Sequence, residues 1–205
     1  MTNLIDSYSD SNTSFYWGIT TAPDYFGQSF TCSSVCTSDH CDFVLRKFGT
    51  PTGTLYAQLY SHSGVYGTSS SPSTLLATSD SVNIASVPTS WSDVSFYFSG
   101  ANRVNLSAST YYVIVLYFSS IVGDVSNYIA VGVDNTSPTA SGNEVLSSDG
   151  TNWTVGSGED MPFYFYGNDV SPSSSLSPSS SVSPSVWSSP STSSSKSPSL
   201  SVISE

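Results

Sequence analysis

The sequence predicts an all-β fold: a two-sheet antiparallel sandwich, jelly-roll-like, with a disordered C-terminal tail. The composition is rich in Ser, Thr, Val, Tyr and Phe, which suit strands and turns, while charged residues make up only 9% of the chain. Apolar and polar residues alternate along several short segments, and clusters of Gly, Pro, Asn and Ser separate those segments. No window keeps the spacing of an amphipathic helix.

Period-two alternation indicates the individual strands. Val94, Phe96 and Phe98 fall on one face of a half-buried strand, with other side chains between them. Segment 111–118 is apolar on both faces, which predicts a central strand. We expect the first and last strands to be neighbours. The remaining predicted strands cover residues 4–8, 27–31, 42–48, 55–60, 82–85, 104–106, 129–133, 144–147 and 162–167.

The composition changes sharply near residue 169, which divides the chain into a sandwich domain, 1–168, and a low-complexity segment, 169–205. From 171 to 205, 20 of 35 residues are Ser and 5 are Pro. Four of these prolines recur every six residues: Pro172, Pro178, Pro184 and Pro190. Such a segment buries too little apolar surface to offset its ordering entropy. We therefore expect a disordered, partly extended stalk or linker.

The charge balance restricts the partners. Fifteen acidic residues stand against four basic ones, giving a formal net charge of −11. Nucleic-acid affinity comes largely from Lys and Arg, so no nucleic-acid partner is expected. No apolar run reaches the roughly 20 residues of a membrane span. The N-terminus also lacks the pattern of a secretory signal, so either a signal lies outside this sequence or the protein reaches the exterior by assembly into a particle.

Several segments carry a family resemblance. Segments 4–9, 27–30, 49–53, 60–70, 111–115 and 163–167 resemble the choice-of-anchor β-sandwich domains of bacterial surface and phage-like structural proteins, which often stand beside Ser-Pro stalks. The resemblance spans residues 4–167. It implies a sandwich in an extracellular, cell-surface or virion setting, and it implies no catalytic residue.

Three cysteines fall close together in the sequence. Cys32 and Cys41 are candidates for a disulfide that closes a short loop, whereas a bridge between Cys32 and Cys36 would need a tighter turn. With His40 they could also supply zinc ligands, but the spacing lacks paired short knuckle motifs. Buried free thiols are the alternative.

Oxygen ligands near the first strand predict one candidate metal site. Asp6, Asp10 and Asn12, joined by Asp160 from the approach to the last strand, could hold a structural calcium ion where terminal strands meet. Solvated turn residues are the alternative. No other cofactor is expected.

A second set of acidic residues provides the candidates for catalysis. A glycan hydrolase needs two carboxyl groups on opposite sides of a sugar bond, and Glu144, Glu159 and Asp160 are the residues available for that role. No catalytic motif accompanies them, so we expect the chain not to be an enzyme.

Aromatic residues that flank turns are the candidates for ligand binding. Sugar-binding sandwiches use exposed aromatic faces with a few polar partners, which points to Trp17, Tyr25, Trp91 and Trp153. Core packing is the alternative for each of them. The leading hypothesis is a non-catalytic structural or adhesion module on a Ser/Pro stalk that contacts a glycan or protein on a cell or particle surface. A carbohydrate-binding module is second and a hydrolase third. Sheet edges could also pair into a homo-oligomer.

Overall fold

The computed structural model describes residues 1–22, 24–136, 140–156 and 158–170. These residues lie in the first of two units into which the chain divides, Met1–Ser171. The predicted Ser/Pro-rich stalk falls on residues 171–205, outside the described residues, so that prediction remains one.

Two antiparallel sheets form a sandwich, which confirms the predicted fold class. Sheet A contains β1 Thr2–Tyr8, β2 Phe15–Ile19, β4 Cys36–Phe48, β8 Ser92–Tyr97, β9 Asn105–Leu106, β11 Tyr128–Val133 and β14 Phe163–Asp169. Sheet B contains β3 Asp24–Cys32, β5 Thr52–Ser63, β6 Ser71–Thr78, β7 Val82–Asn83, β10 Thr110–Val122, β12 Glu144–Ser147 and β13 Thr154–Gly156.

Three short 3-10 turns interrupt the strands: Asp10–Asn12, Ile84–Ser86 and Gly100–Asn102. The second replaces half of a predicted strand, because the Asn83 side chain accepts the N–H of Ala85 at 2.9 Å and caps the turn. In the part of the chain that the structure describes, no helix is long and apolar enough to cross a membrane.

Strand β4 organises sheet A. Its first part pairs with β14 and its last part, from Leu45 to Phe48, pairs with β11. Strand β8 pairs with residues 40–45, overlapping both partners, so it must lie along the opposite edge of β4. β1 pairs with β14, which confirms that the first and last strands are neighbours.

Strand β10 has the corresponding place in sheet B. It lies between β3 and β5 and is hydrogen bonded to both, as expected of a segment with two apolar faces. Its inward residues, Ile114 and Leu116, join the core between the sheets. Its outward residues, Val113 and Val115, pack in a small second cluster on the other face.

Aromatic rings from both sheets interlock in the core. Phe30 of β3 stacks on Phe165 of β14 with ring centroids 4.7 Å apart, and neither side chain is exposed. Phe43 and Phe96 make an edge contact at 5.8 Å within sheet A. These contacts join the two sheets by burial of apolar surface.

The cysteines lie where the chain crosses between the sheets. Cys32 ends β3 in sheet B, Cys36 begins β4 in sheet A, and their sulfur atoms are 3.9 Å apart. All three cysteines, including Cys41, are buried free thiols. The structure therefore places Cys32 against Cys36 and not in the predicted Cys32–Cys41 bridge, because the short crossover turns both side chains into the interior.

We expect Phe30→Ala to lower the free energy of unfolding by about 3–5 kcal/mol, since it removes a fully buried ring and leaves a cavity between the sheets. Urea denaturation followed by tryptophan fluorescence measures this change. Val125→Ala, at a side chain 92% exposed, is the matched control and should change it by less than about 0.5 kcal/mol. Equal stability of the two variants would contradict the packing described here.

Candidate functional site

The outward face of sheet A carries a continuous row of side chains along β4. Since Phe43 and Leu45 point into the core, the residues between and beyond them face outwards. That outward series reads His40, Asp42, Val44, Arg46, Phe48. With their neighbours on β2, β8, β11 and β14 these residues form what we call the ring-lined face.

A cluster of aromatic rings occupies one end of this face. Phe48 stacks on Tyr128 with centroids 4.5 Å apart, and Tyr16 lies 6.4 Å from Tyr128 with a nearly parallel ring. Trp91 adjoins Tyr16 at 5.9 Å and is 37% exposed. The guanidinium of Arg46 lies 4.3 Å above the Phe48 ring. Each ring of this cluster therefore packs against at least one neighbouring ring.

A second ring stack occupies the other end. His40 lies between Tyr166 of β14, at 4.3 Å, and Tyr97 of β8, at 4.9 Å. The three residues are direct cross-strand partners, which aligns their rings. The Nδ1 atom of His40 lies 2.8 Å from a carboxylate oxygen of Asp39, which fixes the orientation of the imidazole. Tyr97 is 55% exposed, so the outer surface of this stack is open to a ligand.

A cleft of about 220 Å³ crosses the face between the two ring groups. It is lined by Asp10, Thr13, Val44, Trp91, Ser92 and Asp93. Gly132 of β11 leaves room for this cleft, because a Cβ there would lie 3.1 Å from Thr13 Oγ1 and 3.3 Å from Val44 Cβ. The 3-10 turn and β8 therefore approach each other across β4.

Carboxylates are concentrated around the cleft. Burial raises the pKa of Asp93, and the charges of Asp10 and Asp42 raise it further. Asp42 is only 8% exposed, and among the described residues nothing donates a hydrogen bond to its Oδ1 atom. The Thr13 hydroxyl is likewise buried with no partner in the described part of the chain. Both atoms retain hydrogen-bonding capacity that the fold itself leaves unused.

The predicted ligand-binding residues lie in more than one place. Trp91 belongs to the ring-lined face. Trp17 and Tyr25 line a separate cavity of about 490 Å³ at the sheet B side, and Trp153 makes an edge contact with Tyr25 at 5.8 Å. The Tyr25 ring also stacks on Tyr117 at 4.5 Å, so its flat face is covered. The structure thus separates Trp91 from the other three.

The four residues predicted to bind calcium line different surfaces. The Asp6 carboxylate accepts a backbone N–H of β3 at 2.8 Å, that of Asp10 accepts a tyrosine hydroxyl of β14 at 3.0 Å, and that of Asp160 accepts a buried glutamine amide at 2.6 Å. Asn12 lies in the 3-10 turn beside Asp10. Within the described ranges, no group of three His, Cys, Asp or Glu side chains is arranged to hold a metal ion.

A pair of carboxyl groups lies in the interior at the β12–β13 end. Glu144 is fully buried, and this burial, followed by the influence of the neighbouring Glu159, raises the pKa of Glu144 to about 8. Within the described residues neither oxygen of this carboxyl has a hydrogen-bond partner, so the interior favours its neutral, protonated form. The indole N–H of Trp17 is close enough to lower this pKa, although its geometry is not that of a hydrogen bond.

Neighbouring acids are stabilised by neutral donors. Burial raises the pKa of Asp160 to about 6, although hydrogen bonds from Gln28 and a backbone N–H oppose the shift. Burial also acts on Asp134, but hydrogen bonds from Tyr8, Thr136 and Ser14 outweigh it and lower the pKa to about 2. These groups form a polar corner of the core that is separate from the ring-lined face.

Sequence reasoning missed most of the ring-lined face. Alternation along a strand shows that a side chain points outwards but not which partner lies beside it. It therefore places four of these rings on strands without bringing them together: Phe48, Tyr97, Tyr128 and Tyr166. The signal that was available is the outward series on β4, where an imidazole, a carboxylate, a guanidinium and a ring occur on a single face.

We expect Glu144→Gln to be more stable than the native chain by about 1–3 kcal/mol near pH 8 and equally stable near pH 4. A raised pKa in the folded state means that the fold keeps a proton which the unfolded chain releases, so native stability falls as pH rises from about 4.5 to about 8. Gln is neutral and removes this loss.

Denaturation midpoints across that pH range give the measurement, with Asp80→Asn, at an exposed carboxylate, as the matched control. A stability difference that is constant with pH would contradict the raised pKa of Glu144.

Comparisons with known proteins assign no family to this chain. No protein-family model matches the sequence. No curated protein matches it either. The resemblance to choice-of-anchor domains therefore stays a prediction, and the geometry of the ring-lined face is the main support for a function.

Proposed function

We propose that this chain is a non-catalytic exterior adhesion module that recognises carbohydrate through the ring-lined face. The observation that carries the proposal is the position of two exposed aromatic groups on β4, one around Phe48 and one around His40, with a polar cleft between them. Sugar rings have apolar C–H faces and polar edges, so a site that alternates aromatic faces with hydroxyls and carboxylates matches both.

The length of the face fits a chain-like ligand. From Phe48 to His40 the strand advances eight residues, or roughly 26 Å at 3.3 Å per residue. A single monosaccharide would contact one ring group only. We infer that an extended oligosaccharide lies along β4 and contacts the ring cluster, the cleft and the His40 stack in turn.

The charge of the chain supports the choice of ligand. Its formal net charge of −11 disfavours polyanions such as nucleic acids and anionic glycans. A neutral or cationic polysaccharide meets no such repulsion. The proposed setting is the outside of a cell or particle, with the Ser/Pro-rich segment as a spacer, as the resemblance implies.

The sheet B surface is a weaker candidate. Its tyrosine strip, Tyr25, Tyr117 and Tyr56, is stacked ring on ring across three strands, so the flat faces are used within the protein. Burial, followed by the hydrogen bond with Tyr117, raises the pKa of Tyr25 to about 12. This strip therefore serves packing, whereas Trp91 and Tyr97 keep exposed surface.

We expect Trp91→Ala and Tyr97→Ala each to weaken oligosaccharide binding about tenfold, because each removes an aromatic surface from one end of the face. A glycan array identifies the ligand, and calorimetry then gives Kd for each variant. Thermal unfolding shows that the variants remain folded.

Tyr111→Ala is the matched control. Tyr111 is a ring of similar exposure, 43%, but it lies on sheet B. It should leave Kd within about twofold of the native value. If Tyr111→Ala weakens binding as much as Trp91→Ala, the proposed face is wrong. If no glycan binds the native chain at all, the module is a spacer and the proposal fails.

A further inference from the structure

The cleft in the ring-lined face favours a positively charged group in addition to a stacked sugar ring. Two carboxylates, those of Asp10 and Asp93, line it, and a third, that of Asp42, lies one outward position along β4 from the lining residue Val44. Their mutual repulsion is visible in the raised pKa of Asp93, where the charges of the other two add to the effect of burial. A ligand that brings a positive charge relieves this repulsion.

An independent observation shows unused hydrogen-bonding capacity at and beside the cleft. Asp42 is more than nine-tenths buried, yet its Oδ1 atom accepts no hydrogen bond from any described residue. The buried Thr13 hydroxyl also has no described partner. The ionised Asp42 carboxylate can only accept, so the group that would pair with it is a donor, and the Thr13 hydroxyl can accept a further N–H or O–H from the same group.

The residues that line the cleft indicate which kind of donor fits it. Trp91 presents an indole ring to it, and aromatic faces attract ammonium groups. The basic side chain nearest along β4, Arg46, is held elsewhere, since it stacks on Phe48 and donates to the carbonyl of Thr89 at 3.0 Å. A metal ion is a poorer match, because in the described ranges no three acidic, His or Cys side chains converge at ligand distances.

We propose that the cleft binds the protonated amine of an amino sugar, so that the preferred ligand of the ring-lined face is a polymer containing glucosamine units. An ammonium group has three N–H donors and no acceptor, which matches carboxylates on two sides and an unpaired hydroxyl. The sugar ring that carries the amine stacks on Trp91, and its neighbours in the polymer reach the two ring groups. The inference rests on the proposed carbohydrate binding and specifies its substrate class.

The test compares three β-1,4-linked hexasaccharides that differ in one substituent: glucosamine, N-acetylglucosamine and glucose. At pH 6 and low salt we expect the native chain to bind the glucosamine hexamer at least about fivefold more tightly than the other two. Asp93→Asn removes a charge with little change of shape and should abolish most of this preference. The loss of affinity for the N-acetylglucosamine hexamer should be much smaller than the loss for the glucosamine hexamer.

Matched controls separate the cleft from the net charge of the chain. Asp24→Asn removes an equal charge at the start of β3 on sheet B and should leave the preference intact. Asp42→Asn keeps an acceptor oxygen but loses the charge, and it should act in the same direction as Asp93→Asn. Thermal unfolding of every variant shows that the fold is retained.

Each result of this comparison leads to a different conclusion. If all three hexamers bind equally, carbohydrate binding stands and the amine site is overturned. If none binds, the amine site is overturned, and the glycan array then decides the proposed function separately: another bound glycan supports it, and the absence of any bound glycan contradicts it. If hexalysine binds in a manner dependent on Asp93 while no sugar does, the cleft recognises basic peptides and the amino-sugar assignment is overturned.

Discussion

The alternation of side chains along β4 is the constraint on which the rest of the molecule depends. This strand pairs with β8, β9, β11 and β14, so its register sets that of most of sheet A. Phe43 and Leu45 are fully buried between the sheets. A slip of one residue would place Asp42 in the core and Phe43 in water, so the core enforces the register. The ring-lined face is therefore held by packing on the opposite side of the same strand.

The polar corner of the core shows how an acidic chain accommodates buried carboxyls with few bases. Only four Lys and Arg residues exist in the sequence. Neutral donors take their place: the Tyr8 hydroxyl for Asp134, the Gln28 amide for Asp160, and a retained proton for Glu144. Each arrangement avoids an unpaired charge in a medium of low polarity. Because burial raises the pKa of Glu144, the fold retains this proton and loses stability as the pH rises from about 4.5 to about 8.

Sequence patterns predicted those parts of the fold in which each strand shows its own alternation. β8 is such a strand, β10 is recognised instead by its two apolar faces, and β14 extends the predicted last strand to Asp169. β2 was missed because three consecutive aromatic residues, Phe15 to Trp17, hide the period of two, and β6 because it begins at a Ser-Pro pair that reads as a turn. The ring-lined face depends on register between strands distant in sequence. The pairing of Phe48 with Tyr128 can be identified only when the order of the strands is known.

Preorganisation distinguishes the ring-lined face from a surface that merely contains aromatic residues. An isolated surface tyrosine loses rotamer freedom when a ligand stacks on it, and this loss opposes binding. Here Tyr128, Phe48 and Tyr16 pack against one another, and the His40 ring is held between two tyrosines and a carboxylate. The ligand therefore meets rings that are already ordered. If several such modules stand on stalks at one surface, modest affinity at each face multiplies into strong attachment. For adhesion to a polymer of repeated units, many ordered faces of moderate affinity serve better than one deep pocket.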